Sequence, residues 1–271
     1  MPGSTLFTDA MALTPAGDGV YHGELNDNWT IGPKVHGGAM LALCANAARA
    51  EHAGEGVEPI AVSGNFLWAP DPGPMQVVTD VRKRGRRVSL IDVELRQGDR
   101  TAVRAAITLG EPEQHVPPLL SANPVVPVMT PEPPPGLEPI GEGHPMADIV
   151  HLARGCDIRP SMTSLQPRAD GGPPVFEYWV RPKDVAPDVL FALLCGDVSA
   201  PVTFGVNRFG WAPTIQFTAY LRARPADGWL RVMCTTMQIG QDWFDEDHIV
   251  VDSTGQIVLQ SRQLAMVPAA S

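Results

Sequence analysis

Between Glu111 and Pro145 the chain carries 11 of its 28 prolines, including Pro117-Pro118 and Pro133-Pro134-Pro135. Proline has no amide to donate and its φ is fixed, so such a stretch enters neither a central strand nor a helix interior. It predicts a stiff, extended connector that crosses a surface. In 271 residues, a break of this kind near the middle predicts two halves of similar size, residues 1–110 and 148–271, joined by a linker over 111–147. Two such halves invite a search for a repeat.

The repeat is there as pattern rather than identity. FLWAPDPGPMQV, from Phe66, sets Leu67 opposite Leu221 of YLRARPADGWLRV, an offset of 154 residues. The same offset brings GVYHGELNDNW onto PPVFEYWVRPKD within a residue, and VHGGAMLALCANAAR onto VLFALLCGDVSAPVT; toward the end it drifts to about 157. Each half reads as one strand, one apolar helix and a run of strands. The helices are expected over Ala39–Arg49 and about Val189–Ala200, apolar on nearly every face and therefore buried. Strands are expected over Ala61–Trp68, Met75–Arg82, Arg87–Gln97 and Ala102–Leu109, then Thr214–Arg222, Trp229–Ile239, His248–Asp252 and Gln256–Val267. Antiparallel strands wrapping an apolar helix make an α+β layout, not a βαβ alternation.

Composition narrows the partners. A net charge of −10 argues against nucleic acid, which needs a basic surface. No apolar run is long enough for a membrane span, and the opening residues, with Asp9 and no basic segment, predict no secretory signal. Cys44, Cys156, Cys195 and Cys234 form no CxxC pair, which predicts free thiols in a reducing cytoplasm. GxSxG, P-loop, GxGxxG and HExxH motifs are absent, and the seven histidines lack metal spacing. The expectation is an activity without metal or cofactor.

Some residues break their own pattern. Asp197 stands inside the apolar run VLFALLCGDVSAPV, where a carboxylate is costly unless paired, hydrogen-bonded or protonated. Gly196 and Pro201 suggest a kink at the acid. It reads as a general base or water-orienting group, or as a helix-end residue capping a local amide. Gln263 and Ser261 share a face with Ile257, Leu259, Ala265 and Val267 in IVLQSRQLAMV, and need partners if buried. Thr214 opens a strand after Pro213; if Ile215, Phe217 and Leu221 face the helix, regular alternation turns Thr214 away. His36-Gly37-Gly38 opens the first helix. The glycines would let a ligand approach free amides that polarise a carbonyl, or would only permit close packing, and His36 is a ligand contact or an N-cap. In the run Arg82-Lys83-Arg84-Gly85-Arg86-Arg87, Arg84 and Arg86 are candidates for substrate phosphates; the bland reading is a solvated hairpin tip.

Together, VHGGAMLAL in the first half and CGDVSAP, GWAPTIQFTAYLRARPADGWL and SRQLAMV in the second resemble the acyl-CoA thioesterase II family. The resemblance implies a double hotdog, with two antiparallel sheets each wrapping a long buried helix. It implies an acyl-CoA substrate and a homo-oligomer of double-hotdog chains. Motif by motif, the family's Asp, Thr and Gln, which hold the attacking water, fall on Asp197, Thr214 and Gln263. The thioester carbonyl would lie against Gly37-Gly38. A non-catalytic acyl-CoA-binding protein is the alternative; a hotdog hydratase ranks below it, since no matching Asp–His pair is present. Offset by 154, Asp197 falls on Leu43, Thr214 on Ile60, and Gln263 on Leu109, or on Ala106 at 157; Gly37-Gly38 falls on Phe191-Ala192. One competent site per chain is expected.

Overall fold

The computed structural model describes residues 4–113 and 116–269. The outer limits drawn at residues 1 and 271, and residues 114–115 of the connector, lie outside them. A short α1 (Phe7–Ala10) precedes β1 (Thr14–Gly17), β2 (Val20–Leu25), β3 (Thr30–Ile31) and β4 (Lys34–Val35). Then come α2 (Gly37–His52), β5 (Glu58–Phe66), β6 (Gly73–Lys83), β7 (Val88–Gln97) and β8 (Arg100–Gly110). After the connector the second half supplies β9 (Cys156–Pro160), β10 (Val175–Pro182), α3 (Val189–Cys195), β11 (Thr214–Leu221), β12 (Leu230–Thr235), β13 (Trp243–Val251) and β14 (Ile257–Met266).

Twelve of these strands form a single antiparallel sheet, in the order β1-β2-β6-β7-β8-β5-β11-β14-β13-β12-β10-β9. The order reads the same from either edge once the halves are exchanged. At the centre β5 pairs with β11, with Thr218 opposite Ser63. It is the middle pair of this register, and taking it as the centre of the pseudo-two-fold gives a structural offset of 155 residues, one more than the sequence alignment. The sheets of the two halves therefore join edge to edge at β5 and β11 into one twelve-stranded sheet.

Alternation explains the layering. In β7 the residues Ile91, Val93 and Leu95 are buried, as are Val103, Ala105, Ile107 and Leu109 of β8. They close over α2, whose residues Ala39–Ala45 are all buried. The second helix departs from expectation. Asp188 is its N-cap, accepting the Phe191 amide at 2.8 Å, and the helix proper runs for seven residues to Cys195. Gly196 closes the last turn, and Pro201, with no amide and a fixed φ, fits only outside a helix. The expected second long helix is thus a short one. Asp197 lies beyond its end, not inside it.

The connector packs against the second half, and part of it is buried. Val125 and Met129 pack with Trp179, Trp229, Met233 and Val251. The Trp179 indole donates to the Thr130 carbonyl at 2.8 Å. Further along, Ile140, Met146 and Ile149 reach the mouth of the cavity described next.

Candidate active site

The start of α2 and the turn after α3 meet at one point. His36 is the N-cap of α2, and its Nδ1 accepts the Ala39 amide at 3.2 Å. That nitrogen carries no proton in this bond, so Nε2 is the donor, and it reaches the Asp197 carbonyl at 2.8 Å. The Gly38 amide donates to Asp197 Oδ2 at 2.7 Å. A Cβ on Gly37 would sit 2.6 Å from that same oxygen, and one on Gly38 would sit 2.6 Å from the Leu194 carbonyl. Both glycines are therefore required for this seam. The expectation that both amides face substrate is corrected: the Gly38 amide is occupied by Asp197, and Gly37 is the glycine on the cavity wall.

Asp197 is a capping residue after all, but the amide it caps belongs to the other half of the chain. Its side chain is only 9% exposed, and Oδ2 lies 3.7 Å from His36 Nε2. Burial pushes its carboxyl above the ordinary range, opposed by the His36 ring and the Gly38 amide. The acid faces a cavity of about 770 Å³. Its polar lining includes His36, Tyr178, Asp197, Ser199, Thr214, Glu246 and Gln263; Met40, Phe66, Trp68, Phe204 and Trp211 are among its apolar walls.

Thr214 reaches this cavity because β11 is irregular where it starts. The register against β14 slips between Thr214 and Gln216, so Thr214 pairs with Ala265 and Gln216 with Leu264. A bulge re-aims the residue at its edge. The Thr214 hydroxyl donates to Gln263 Oε1 at 2.9 Å. Gln263 is 5% exposed on β14, where alternation also buries Ser261, whose hydroxyl donates to the Gly196 carbonyl at 2.7 Å.

One acid of the site is absent from the sequence reading. Glu246 lies directly opposite Gln263 across β13 and β14. One oxygen accepts the Val202 amide at 2.6 Å and the other accepts from Gln263 Nε2. Burial pushes its carboxyl up to about 8, with the Val202 and Gln263 donors opposing. Two residues on, His248 Nε2 lies 2.8 Å from the Ser199 hydroxyl, and burial lowers the ring to about 4. Among the described residues, Cys234, Glu246 and His248 are the trio whose donor atoms come within 4.8 Å of one another. Burial pushes the Cys234 thiol well up, and both Glu246 oxygens are engaged. Within it, Cys234 and His248 meet at the Ser199 hydroxyl, while Glu246 is bonded to Val202 and Gln263.

Arg84 and Arg86 lie elsewhere. The basic run is the turn between β6 and β7, at the far end of α2. Arg84 donates to the Glu51 and His52 carbonyls at 3.0 and 3.2 Å, closing the C-terminus of that helix, and Arg86 is exposed. Neither lines the cavity; the turn is solvated and caps the C-terminus of α2.

Comparison with known proteins agrees with the layout. A family model described as the acyl-CoA thioesterase N-terminal domain matches residues 25–110, and one described as the C-terminal domain matches residues 126–267. An uncharacterized protein of Mycobacterium tuberculosis is 62% identical over 289 residues, covering 98% of this chain and 99% of that protein. Among solved structures, a proposed thioesterase II of Thermobifida fusca is 26% identical, with a TM-score of 0.83 over 97% of each chain. A protein of unknown function with a hot dog fold, from Alicyclobacillus acidocaldarius, is 18% identical, with a TM-score of 0.81 over 98% of each chain. At that identity the likeness is one of fold.

Proposed function

The chain belongs to the acyl-CoA thioesterase family, and we propose that it hydrolyses an acyl-CoA thioester to free acid and CoA by direct attack of an oriented water. The observation that carries this reading is the convergence of Asp197, Thr214 and Gln263 on one largely apolar cavity. The two halves read as two hotdogs fused in one chain, and the cavity opens where the second helix stops.

The chemistry follows from the groups present. The acyl chain lies along the apolar walls, and its thioester carbonyl approaches the Gly37 side of α2, where the helix dipole favours developing negative charge. Asp197 Oδ1 takes a proton from a water held by Thr214 and Gln263. The water oxygen bonds to the carbonyl carbon, the C–S bond breaks, and the proton leaves with the thiolate. A thioester is activated enough that positioning and carbonyl polarisation suffice, without a covalent intermediate. The raised Asp197 carboxyl is a better base than an ordinary one.

A panel of acyl-CoA substrates of graded length, assayed for thiol release, tests the reading. Hydrolysis of some members with turnover is the expected result. Saturable binding of the whole panel without thiol release would instead favour a carrier or sensor.

A further inference from the structure

Hydrogen-bond donation through the site runs one way. Thr214 donates to Gln263, Gln263 donates to Glu246, and the second Glu246 oxygen takes the Val202 amide. A carboxylate can only accept, so the chain of donation ends there. We propose that Glu246 is the positioning residue of this site: as terminal acceptor it sets the hydrogen-bond polarity of Thr214, and a proton placed on it reverses that polarity. The proposal rests on the reading above, in which Thr214 and Gln263 hold the attacking water.

The geometry leaves one place for the proton. Glu246 is 1% exposed, and Val202 holds Oε1 at 2.6 Å, so the proton goes to Oε2, which faces Gln263. A protonated oxygen must donate, and an amide nitrogen does not accept. The Gln263 amide therefore turns over, giving its oxygen to the acid and its NH2 to Thr214. Thr214 becomes the acceptor, and its own hydrogen is released toward the cavity.

The two states treat the water differently. With Glu246 charged, the free lone pairs of Thr214 take a hydrogen from the water, leaving the water's electron pairs for the carbonyl carbon. With Glu246 neutral, Thr214 donates to the water and occupies one of those pairs. The charged state is the one that favours attack. The titratable groups around the acid are Asp197 beyond α3, Cys234 on β12, Tyr178 on β10, and Asp245 and His248 on its own strand. Asp247 points outward to Arg262 of β14. Burial outweighs all of these and puts the exchange at about 8, so turnover rises as pH passes upward through that value.

Glu246→Gln tests this directly. The variant is isosteric and still accepts the Val202 amide, but its NH2 must donate to Gln263, which locks the reversed polarity at every pH. In the full chain the expected result at about pH 9 is a kcat lower by about tenfold with little change in KM. The rise in turnover seen in the wild type between about pH 7 and 9 becomes flat. Thr214→Val removes the hydroxyl that senses the polarity, so Glu246→Gln on that background has no further effect on kcat. An NMR titration of the Gln263 side-chain amide reads the same switch without turnover: it shifts near pH 8 in the wild type and not in Glu246→Gln. A wild-type pH profile retained in Glu246→Gln, or equal losses with and without the Thr214 hydroxyl, would overturn the proposal. If the wild type releases no thiol, the hydrolytic reading fails and the amide titration alone decides. A Gln263 amide insensitive to pH over that range then overturns the switch, whether or not the variant folds.

Discussion

The first half buries a helix of sixteen residues and the second a helix of seven. Pairing across the central strands places Ile91 where the second half has Glu246, and Ile107 where it has Gln263. Ile91 and Ile107 face each other across β7 and β8 with no exposure, as Glu246 and Gln263 face each other across β13 and β14. At the Asp197 position the first half is in the middle of its helix, among Ala42 and Leu43, both without exposure. The contrast teaches how one architecture yields one core and one site. Where α2 runs on, it fills the concave side of its strands. Where α3 stops at Gly196, the strand positions beyond it face a cavity, and polar side chains there have water and substrate to meet. The first half is not idle: its helix start holds the acid of the second.

The strongest way to break the comparison is at that acid. Asp197→Asn keeps the shape and an acceptor for the Gly38 amide but removes the proton acceptor. Turnover is expected to fall by about 10²–10⁴-fold, with KM and the circular dichroism spectrum little changed. Near-normal turnover would take Asp197 out of the chemistry and leave it as a cap.

The second test uses pH, because an isoleucine pair has no proton to move and an acid–amide pair does. Glu246 is held at about 8 in the fold, above its ordinary value in the unfolded chain. Between those values the native state binds more protons than the unfolded one, so stability falls as pH rises through that window. His248 has the opposite sign. It is lowered to about 4, so its contribution is lost as pH falls from its ordinary range toward that value. The expected profile is a loss of melting temperature as pH rises from about 4.5 to about 8, worth on the order of several kcal/mol at most. It should be relieved in Glu246→Gln and left in place by a substitution in the first half. A fall over that same range unchanged in Glu246→Gln would assign it to other groups.

How far the sequence revealed this site follows from what each residue's neighbours look like. The repeat was legible because buried helices and alternating strands leave apolar patterns that survive low identity. Asp197 and Gln263 stood out because each interrupts such a pattern. Thr214 required a bulge, which no alternation rule predicts, since a bulge is a break in alternation. Glu246 was hidden by its company. Asp242, Asp245 and Asp247 surround it, and so acidic a stretch reads as a solvated turn, so the strand was expected to begin at His248 rather than Trp243. The available signal was Phe244, Glu246, His248 and Val250 at a spacing of two, all four buried. The end of α3 was hidden for a related reason. Val198 and Ala200 continue the apolar run because they are buried beside the cavity, not because they are helical.

A smaller effect sharpens the seam between the halves. Gly38→Ala puts a methyl against the Leu194 carbonyl, which is backbone and cannot swing aside. A loss of about 1–3 kcal/mol in urea unfolding is expected, together with lower turnover, because the same shift moves Asp197 off its amide. Full stability in Gly38→Ala would show that the seam has slack and that the glycine is not required by packing.

The smallest effect is expected at the opposite end of α2. If the basic turn only caps that helix, replacing both Arg84 and Arg86 by Ala removes two hydrogen bonds to the last carbonyls and a favourable charge near the negative end of the dipole. Arg84 is half exposed, so solvent screens the charge and the cost in stability should be about 0.5 kcal/mol. KM for acyl-CoA should not move, nor should its dependence on salt, since α2 is sixteen residues long and separates this turn from Gly37 by about 24 Å. A severalfold rise in KM that grows at low ionic strength would bring the turn back as a phosphate site. It would also mean that the CoA end of the substrate reaches across the first half, and that the two ends of α2 act on one ligand rather than on two separate problems.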